Sequence, residues 1–184
     1  TDVTAGPVAV MRHADARVRG YKRVQVEPHL SVTGACSAEW VPIRPKSDPA
    51  FMFALIHVLV CEHPLADLDV PFLRDRTSSP YLVGPDGLYL RDAATRKPLL
   101  WDEQSGRAVV FDTPGTVPAL TGHFTVSGAI SVDADDEVHE QGTVKGTTAF
   151  TKLIEHMRRY TPEWAEGICD VPAATIRRIA NEYL

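Results

Sequence analysis

Residues 22–48 read KRVQVEPHLSVTGACSAEWVPIRPKSD, and the fold is decided there. Arg23-Val24-Gln25-Val26 is short, β-branched and alternating, which predicts a strand. Glu27-Pro28 ends it, because proline cannot donate to a sheet ladder. Ser31 to Ala38 is small and polar, a turn or a single helical turn. Trp40-Val41-Pro42-Ile43-Arg44 is a second apolar run, short or at a sheet edge because of Pro42. Asp48-Pro49 then suits a helix start, with Asp48 as N-cap and Pro49 in the first helical position. Two strand ends therefore each deliver a polar loop, Glu27-Pro28-His29 and Lys46-Ser47-Asp48. In open α/β sheets ligands sit outside the carboxyl ends of strands, where an acid accepts from ribose hydroxyls and a helix N-terminus attracts anions. The stretch is a nucleotide-site candidate, with strands 23–26 and 40–44 expected as parallel neighbours.

Outward from that stretch the chain alternates helices and short strands. Pro7 to Arg19 is a helix candidate, with Val8, Met11, Ala14 or Asp15, and Val18 at helical spacing and Gly20 as its terminator. Arg12, His13, Arg17 and Arg19 fall on its polar side. Residues 49–62 form a helix that is apolar nearly all round, so it should be buried, with His57 and Cys61 as core residues. Asp69 caps a short helix that runs to Arg76. From Tyr81 the pattern changes to hairpins: 81–83 with 88–90, 99–101 with 108–111, and 123–126 with 129–132 around Ser127-Gly128. The acidic run 133–137 is a solvated turn. Thr148 to Arg159 is helical, Thr161-Pro162 opens another helix, and the last spans 172–183 with Arg177 and Arg178 facing outward. The fold class expected is α/β, a Rossmann-like parallel sheet with flanking helices and a β-hairpin-rich insertion. Its expected parts are an α/β dinucleotide-binding part at 1–80, the insertion at 81–147, and a helical part at 148–184 that completes the α/β domain.

Composition narrows the function classes. The 184 residues carry a net charge of −5, which gives no electrostatic footprint for nucleic acid. The longest apolar run, Phe51 to Cys61, is too short to span a bilayer. Cys36, Cys61 and Cys169 lack metal-cluster spacing and are expected as buried free thiols. No hydrolase elbow, zinc-protease helix or Walker loop is present. The chain begins at Thr1 without Met, so an internal piece of a longer polypeptide is expected. Its compartment is open: cytoplasm or periplasm, according to a signal outside this sequence.

Two blocks carry a resemblance. Val26-Glu27-Pro28-His29 followed by Ile43-Arg44-Pro45-Lys46-Ser47-Asp48 resembles the family signature Asp-Pro-Arg followed by Ile-Arg-Pro-Gly-Thr-Asp. Tyr160-Thr161-Pro162-Glu163-Trp164-Ala165, then Val171-Pro172-Ala173 and Ile176-Arg177-Arg178-Ile179-Ala180, resembles its later helical block. The family is that of the molybdopterin oxidoreductases, the bis(molybdopterin guanine dinucleotide) enzymes related to dimethyl sulfoxide reductase. Glu27 stands for the usual Asp, His29 for Arg, Lys46 for Gly and Ser47 for Thr, and Asp48 matches.

The resemblance implies a dinucleotide-binding segment of a larger catalytic polypeptide, inactive when isolated. The implied cofactor is molybdopterin guanine dinucleotide carrying Mo or W, with an iron–sulfur cluster elsewhere in the parent. Glu27, Pro28 and His29 would line ribose or guanine; Lys46, Ser47 and Asp48 would meet guanine. The implied partners are the rest of that catalytic polypeptide and a separate iron–sulfur protein that transfers electrons. The alternative is a non-catalytic α/β nucleotide-binding or interaction module.

Overall fold

The computed structural model describes residues 6–132, 138–140 and 142–184; the acidic run 133–137 lies outside the described residues. The chain folds as mixed α/β and divides into two compact units. One comprises the described part of Thr1–Glu62 together with Arg159–Leu184, the other His63–Arg158.

In the first unit, α1 (Pro7–Val18) closes on Arg19, and Gly20 at φ 88° turns the chain. β1 (Val24–Glu27) and β2 (Glu39–Pro42) pair in parallel from Val24↔Glu39 to Glu27↔Pro42, as the spacing predicts. A tight turn cannot join parallel strands; here the connection includes α2 (Val32–Ala35), whose N-cap Ser31 accepts from the Gly34 N–H at 3.2 Å. α3 (Asp48–His57) runs on as a π-turn, Val58–Glu62. α6 (Pro162–Cys169), capped by Thr161, and α7 (Ala173–Asn181) complete this unit. Val41, Ile43, Phe51, Leu55 and Val58 pack with Ala165, Cys169, Ile176 and Ile179 into its core. The parallel sheet of the described residues is these two strands.

Several local expectations are corrected here. Ser47, not Asp48, occupies the N-cap position of α3, and Pro49 falls second in the helix. The Ser47 hydroxyl donates to the Arg44 carbonyl at 2.6 Å, so no side chain caps this helix. The helical spacing of Val8, Met11 and Val18 does lie on a helix, α1, but all three side chains are exposed. Only Cys169 is a buried thiol; Cys36 is exposed and Cys61 intermediate. Arg177 and Arg178 are anchored rather than merely outward. Arg177 donates to Glu62 at 2.8–3.2 Å and to Glu163 at 2.5 and 3.2 Å, while Arg178 engages Glu39 and Glu182.

The second unit opens with α4 (Val70–Arg76), capped by Asp69 through the Phe72 N–H at 3.0 Å. Its strands are β3 (Leu82–Val83), β4 (Arg91–Asp92), β5 (Leu99–Asp102), β6 (Arg107–Val110), β7 (His123–Ser127), β8 (Ala129–Val132), β9 (Val138–Glu140) and β10 (Thr143–Thr148). α5 (Ala149–Met157) follows, capped by Thr148. They form small antiparallel sheets, β3-β10-β7, β4-β8-β9 and β5-β6, and the first two expected hairpins are present. The third is not. β7 pairs with β10 and β8 with β4 and β9, so Gly128 at φ 72° passes the chain from one sheet to another. Leu82, Leu90, Leu99 and Val126 form the core, flanked by Trp101 stacked on Phe124 at 4.5 Å. No helix among the described residues is long and apolar enough to cross a membrane.

Candidate functional site

Because β1 and β2 are parallel, the segments that follow them leave the same edge of the pair. Glu27-Pro28-His29 leaves β1 at that edge, and Lys46-Ser47-Asp48 follows β2 after Ile43-Arg44-Pro45.

Glu27 ends β1 and folds its carboxylate over its own loop. It accepts from the Ser31 N–H at 2.8 Å, the Ser31 hydroxyl at 3.0 Å and Gln25 Nε2 at 3.4 Å. The backbone hydrogen bond from Ser31 is the main reason its carboxyl titrates below its ordinary range. Trp40 Nε1 donates to the Glu27 carbonyl at 3.1 Å, tying the start of β2 to the end of β1. A carboxylate offers about four acceptor directions, so Glu27 keeps capacity for one further donor. Pro28 and His29 are exposed beyond it.

The second loop is anchored at its base. Arg44 forms a two-pronged pair with Asp170 at 2.8 and 2.9 Å, and its N–H donates to the Cys169 carbonyl. Lys46 adopts φ 68°, the left-handed region, and its side chain is exposed. Glycine is the residue that enters this region without strain, which gives a backbone reason for the glycine of the family signature at this position. Ser47 is buried and Asp48 exposed. Asp48 stands in the first turn of α3, where helix N–H groups favour negative charge. Among the described residues no hydrogen bond or ion pair engages its carboxylate.

Between β1, α3 and α7 runs a cleft of about 350 Å³, walled by Val24, Val26, Phe51 and Leu55 and edged by Gln25, Asp48 and Tyr183. The sequence pointed to Asp48 on this edge but not to Gln25 and Tyr183. Strand alternation marks Gln25 as a polar position without saying what it faces, and Tyr183 lies beyond the end of α7. The arrangement combines an apolar wall, a free carboxylate, a helix N-terminus and a left-handed loop, which suits a flat polar ring with adjacent N–H donors. No group of three or more His, Cys, Asp or Glu positioned to hold a metal occurs among the described residues.

A mixed α/β chain with a loop-borne polar site at the carboxyl edge of parallel strands is the class these features define. No family model matches the chain. It is similar to one component of the sulfite dehydrogenase of Allochromatium vinosum, 30% identical over 94% of this chain and 18% of that protein. It is also similar to the alpha chain of the respiratory nitrate reductase of Haloferax mediterranei, 26% identical over 89% of this chain and 18% of the relative. A third relative is the molybdopterin-containing component of the arsenate respiratory reductase of a Shewanella species, 24% identical over 88% of this chain and 13% of that protein. The chain belongs to the molybdopterin oxidoreductase family. It spans about a fifth or less of the length of these curated relatives.

Proposed function

We propose that this chain is the molybdopterin-guanine-dinucleotide-binding part of the catalytic subunit of a molybdenum- or tungsten-dependent oxidoreductase. The observation that carries the reading is the parallel pairing of β1 and β2, from whose shared edge Glu27-Pro28-His29 leaves directly and Lys46-Ser47-Asp48 follows after Ile43-Arg44-Pro45. The residues fit the group. The free Asp48 carboxylate accepts from the guanine N1–H and exocyclic amine together, a charge-assisted two-point contact. The left-handed backbone at Lys46 shapes the loop so that Ser47 and Asp48 follow it directly into α3. Glu27, held ionised by Ser31, accepts from a ribose hydroxyl, with Pro28 and His29 beside it. The bound cofactor supplies the redox chemistry, electron transfer with oxygen-atom transfer or hydroxylation. This chain binds and orients its nucleotide end. An iron–sulfur cluster and an electron-transfer partner protein belong to the same proposal for the whole enzyme.

A second reading, a non-catalytic module, draws on one observation: Glu27 is already engaged by its own loop. Asp48→Asn in the intact protein separates the two. Asn leaves one guanine donor unpaired, at a cost of roughly 1–3 kcal/mol, about fivefold to 150-fold in retention. The expected result is lost pterin dinucleotide with an unchanged melting temperature of the apoprotein. Full cofactor content in the variant overturns the assignment.

A further inference from the structure

The second unit holds a cleft of about 660 Å³ between the segment 74–81 and the segment 111–118. Its volume lies within the range of small-molecule pockets, roughly 300–1,000 Å³. Arg74 and Arg76 line it from the last turn of α4. That position suits the helix dipole, but it does not satisfy the guanidinium N–H groups. Arg74 Nε is buried and donates to no acceptor among the described residues, and its Nη2 reaches Glu103 only at 3.5 Å. A buried donor without an acceptor is uncommon and calls for a partner. Arg76 is exposed and has no acceptor among the described residues either.

The remaining lining supplies the rest of a recognition site. The hydroxyls of Ser78 and Tyr81 make no hydrogen bond among the described residues, whereas Thr77 and Thr116 already donate to the Leu73 and Thr113 carbonyls. Tyr81 is fixed edge-on to Tyr89 and tilted against Phe111, with ring centroids at 5.5 and 5.6 Å. Burial raises the Tyr81 hydroxyl above its ordinary pKa, so it stays a donor. Phe111, Leu100 and Pro118 give an apolar wall. Asp75 is the one carboxylate among the lining residues, against two guanidinium groups in number.

We propose that this cleft binds a small organic oxyanion, a phosphate or a carboxylate, whose flat apolar body lies against Tyr81 and Phe111 while Arg74 and Arg76 hold the charged end. An inorganic anion alone would fill little of the volume and leave the aromatic wall bare. The site lies wholly in the second unit and does not rest on the guanine-dinucleotide reading.

The test is calorimetric titration of the intact protein with phenyl phosphate, benzoate, inorganic phosphate and benzyl alcohol. Saturable binding of phenyl phosphate or benzoate, about tenfold or more tighter than inorganic phosphate and absent for benzyl alcohol, is the expected result; the tighter of the two identifies the oxyanion. Arg76→Gln, at an exposed position, should weaken binding about tenfold without lowering the melting temperature, and Arg74→Lys should weaken it by removing the Nε donor. Asp75→Asn should strengthen it. Failure of both aryl anions to bind overturns the proposal, as does binding that Arg76→Gln and Arg74→Lys leave unchanged.

Discussion

A Cβ on residue 34 would lie 2.4 Å from Glu27 Oε1. Gly34 is thus the residue that lets the Glu27 carboxylate lie against α2 and accept from Ser31. Gly34→Ala should push the carboxylate off Ser31 and lower the melting temperature by several degrees. In a Glu27→Ala background the same change should cost much less, since the obstructing oxygen is gone. Equal costs in both backgrounds, measured by thermal unfolding, would show that the contact is not the cause.

Lys46 makes the complementary prediction. Its φ of 68° costs a side-chain-bearing residue about 1 kcal/mol relative to glycine, partly offset by the greater freedom of glycine in the unfolded chain. Lys46→Gly should therefore be neutral or stabilising by up to about 1 kcal/mol, and Lys46→Val clearly destabilising. Urea unfolding of the two variants decides it; a stable Val variant would contradict the left-handed backbone.

Arg177 grips Glu62 and Glu163 together, and its hydrogen bonds are the main reason the Glu163 carboxyl titrates at about 2. The folded pKa lies below the unfolded one, so the contribution is present above the ordinary carboxylate range and is lost as pH falls through about 2. Solvent screens these exposed groups, so Arg177→Ala should cost about 1 kcal/mol or less near neutral pH. The difference from the parent should shrink steadily below about pH 4. A constant difference across that range would remove the ion pair as its origin.

Thr148 is fully buried, accepts from the Thr151 N–H at 3.3 Å and donates to the Thr151 hydroxyl at 2.9 Å. Thr148→Ala should cost about 1–2 kcal/mol, and Thr148→Ser should recover most of that. Chemical denaturation that finds Ser no better than Ala would assign the loss to packing.

What was legible in the sequence was local. Asp69 and Thr161 cap the helices they precede, because a capping hydroxyl or carboxylate meets an N–H only three residues on; Thr148, read as the first helical residue, proves to be a cap as well. The parallel pairing of β1 and β2 was legible because a connection of this length with a helical turn suits no tight hairpin. Ser127-Gly128 misled for the opposite reason: its turn chemistry is sound, but the partner of β7 is β10, beyond β8 and β9. The start of α3 was displaced by one residue because the Ser47 hydroxyl bonds backward to Arg44. That polar loops follow the two parallel strands was legible; the closing of Glu27 onto Ser31 was not, since it depends on the shape of the intervening loop. The outward placement of Arg177 was legible, but its anchoring was not, because its partner Glu62 lies 115 positions away.

That last contact has a topological result. One guanidinium holds both the residue at which the chain leaves the first unit, Glu62, and a residue four positions after its return at Arg159. Exit and re-entry are therefore neighbours, and for the first unit everything from His63 to Arg158 counts as one lariat tied at its knot. The entropy of closing such a ring grows only with the logarithm of its length; a ring ten times shorter would be easier to close by about 2 kcal/mol. The excursion is thus free to lengthen, shrink or change its content over evolutionary time, provided the knot at Arg177 holds.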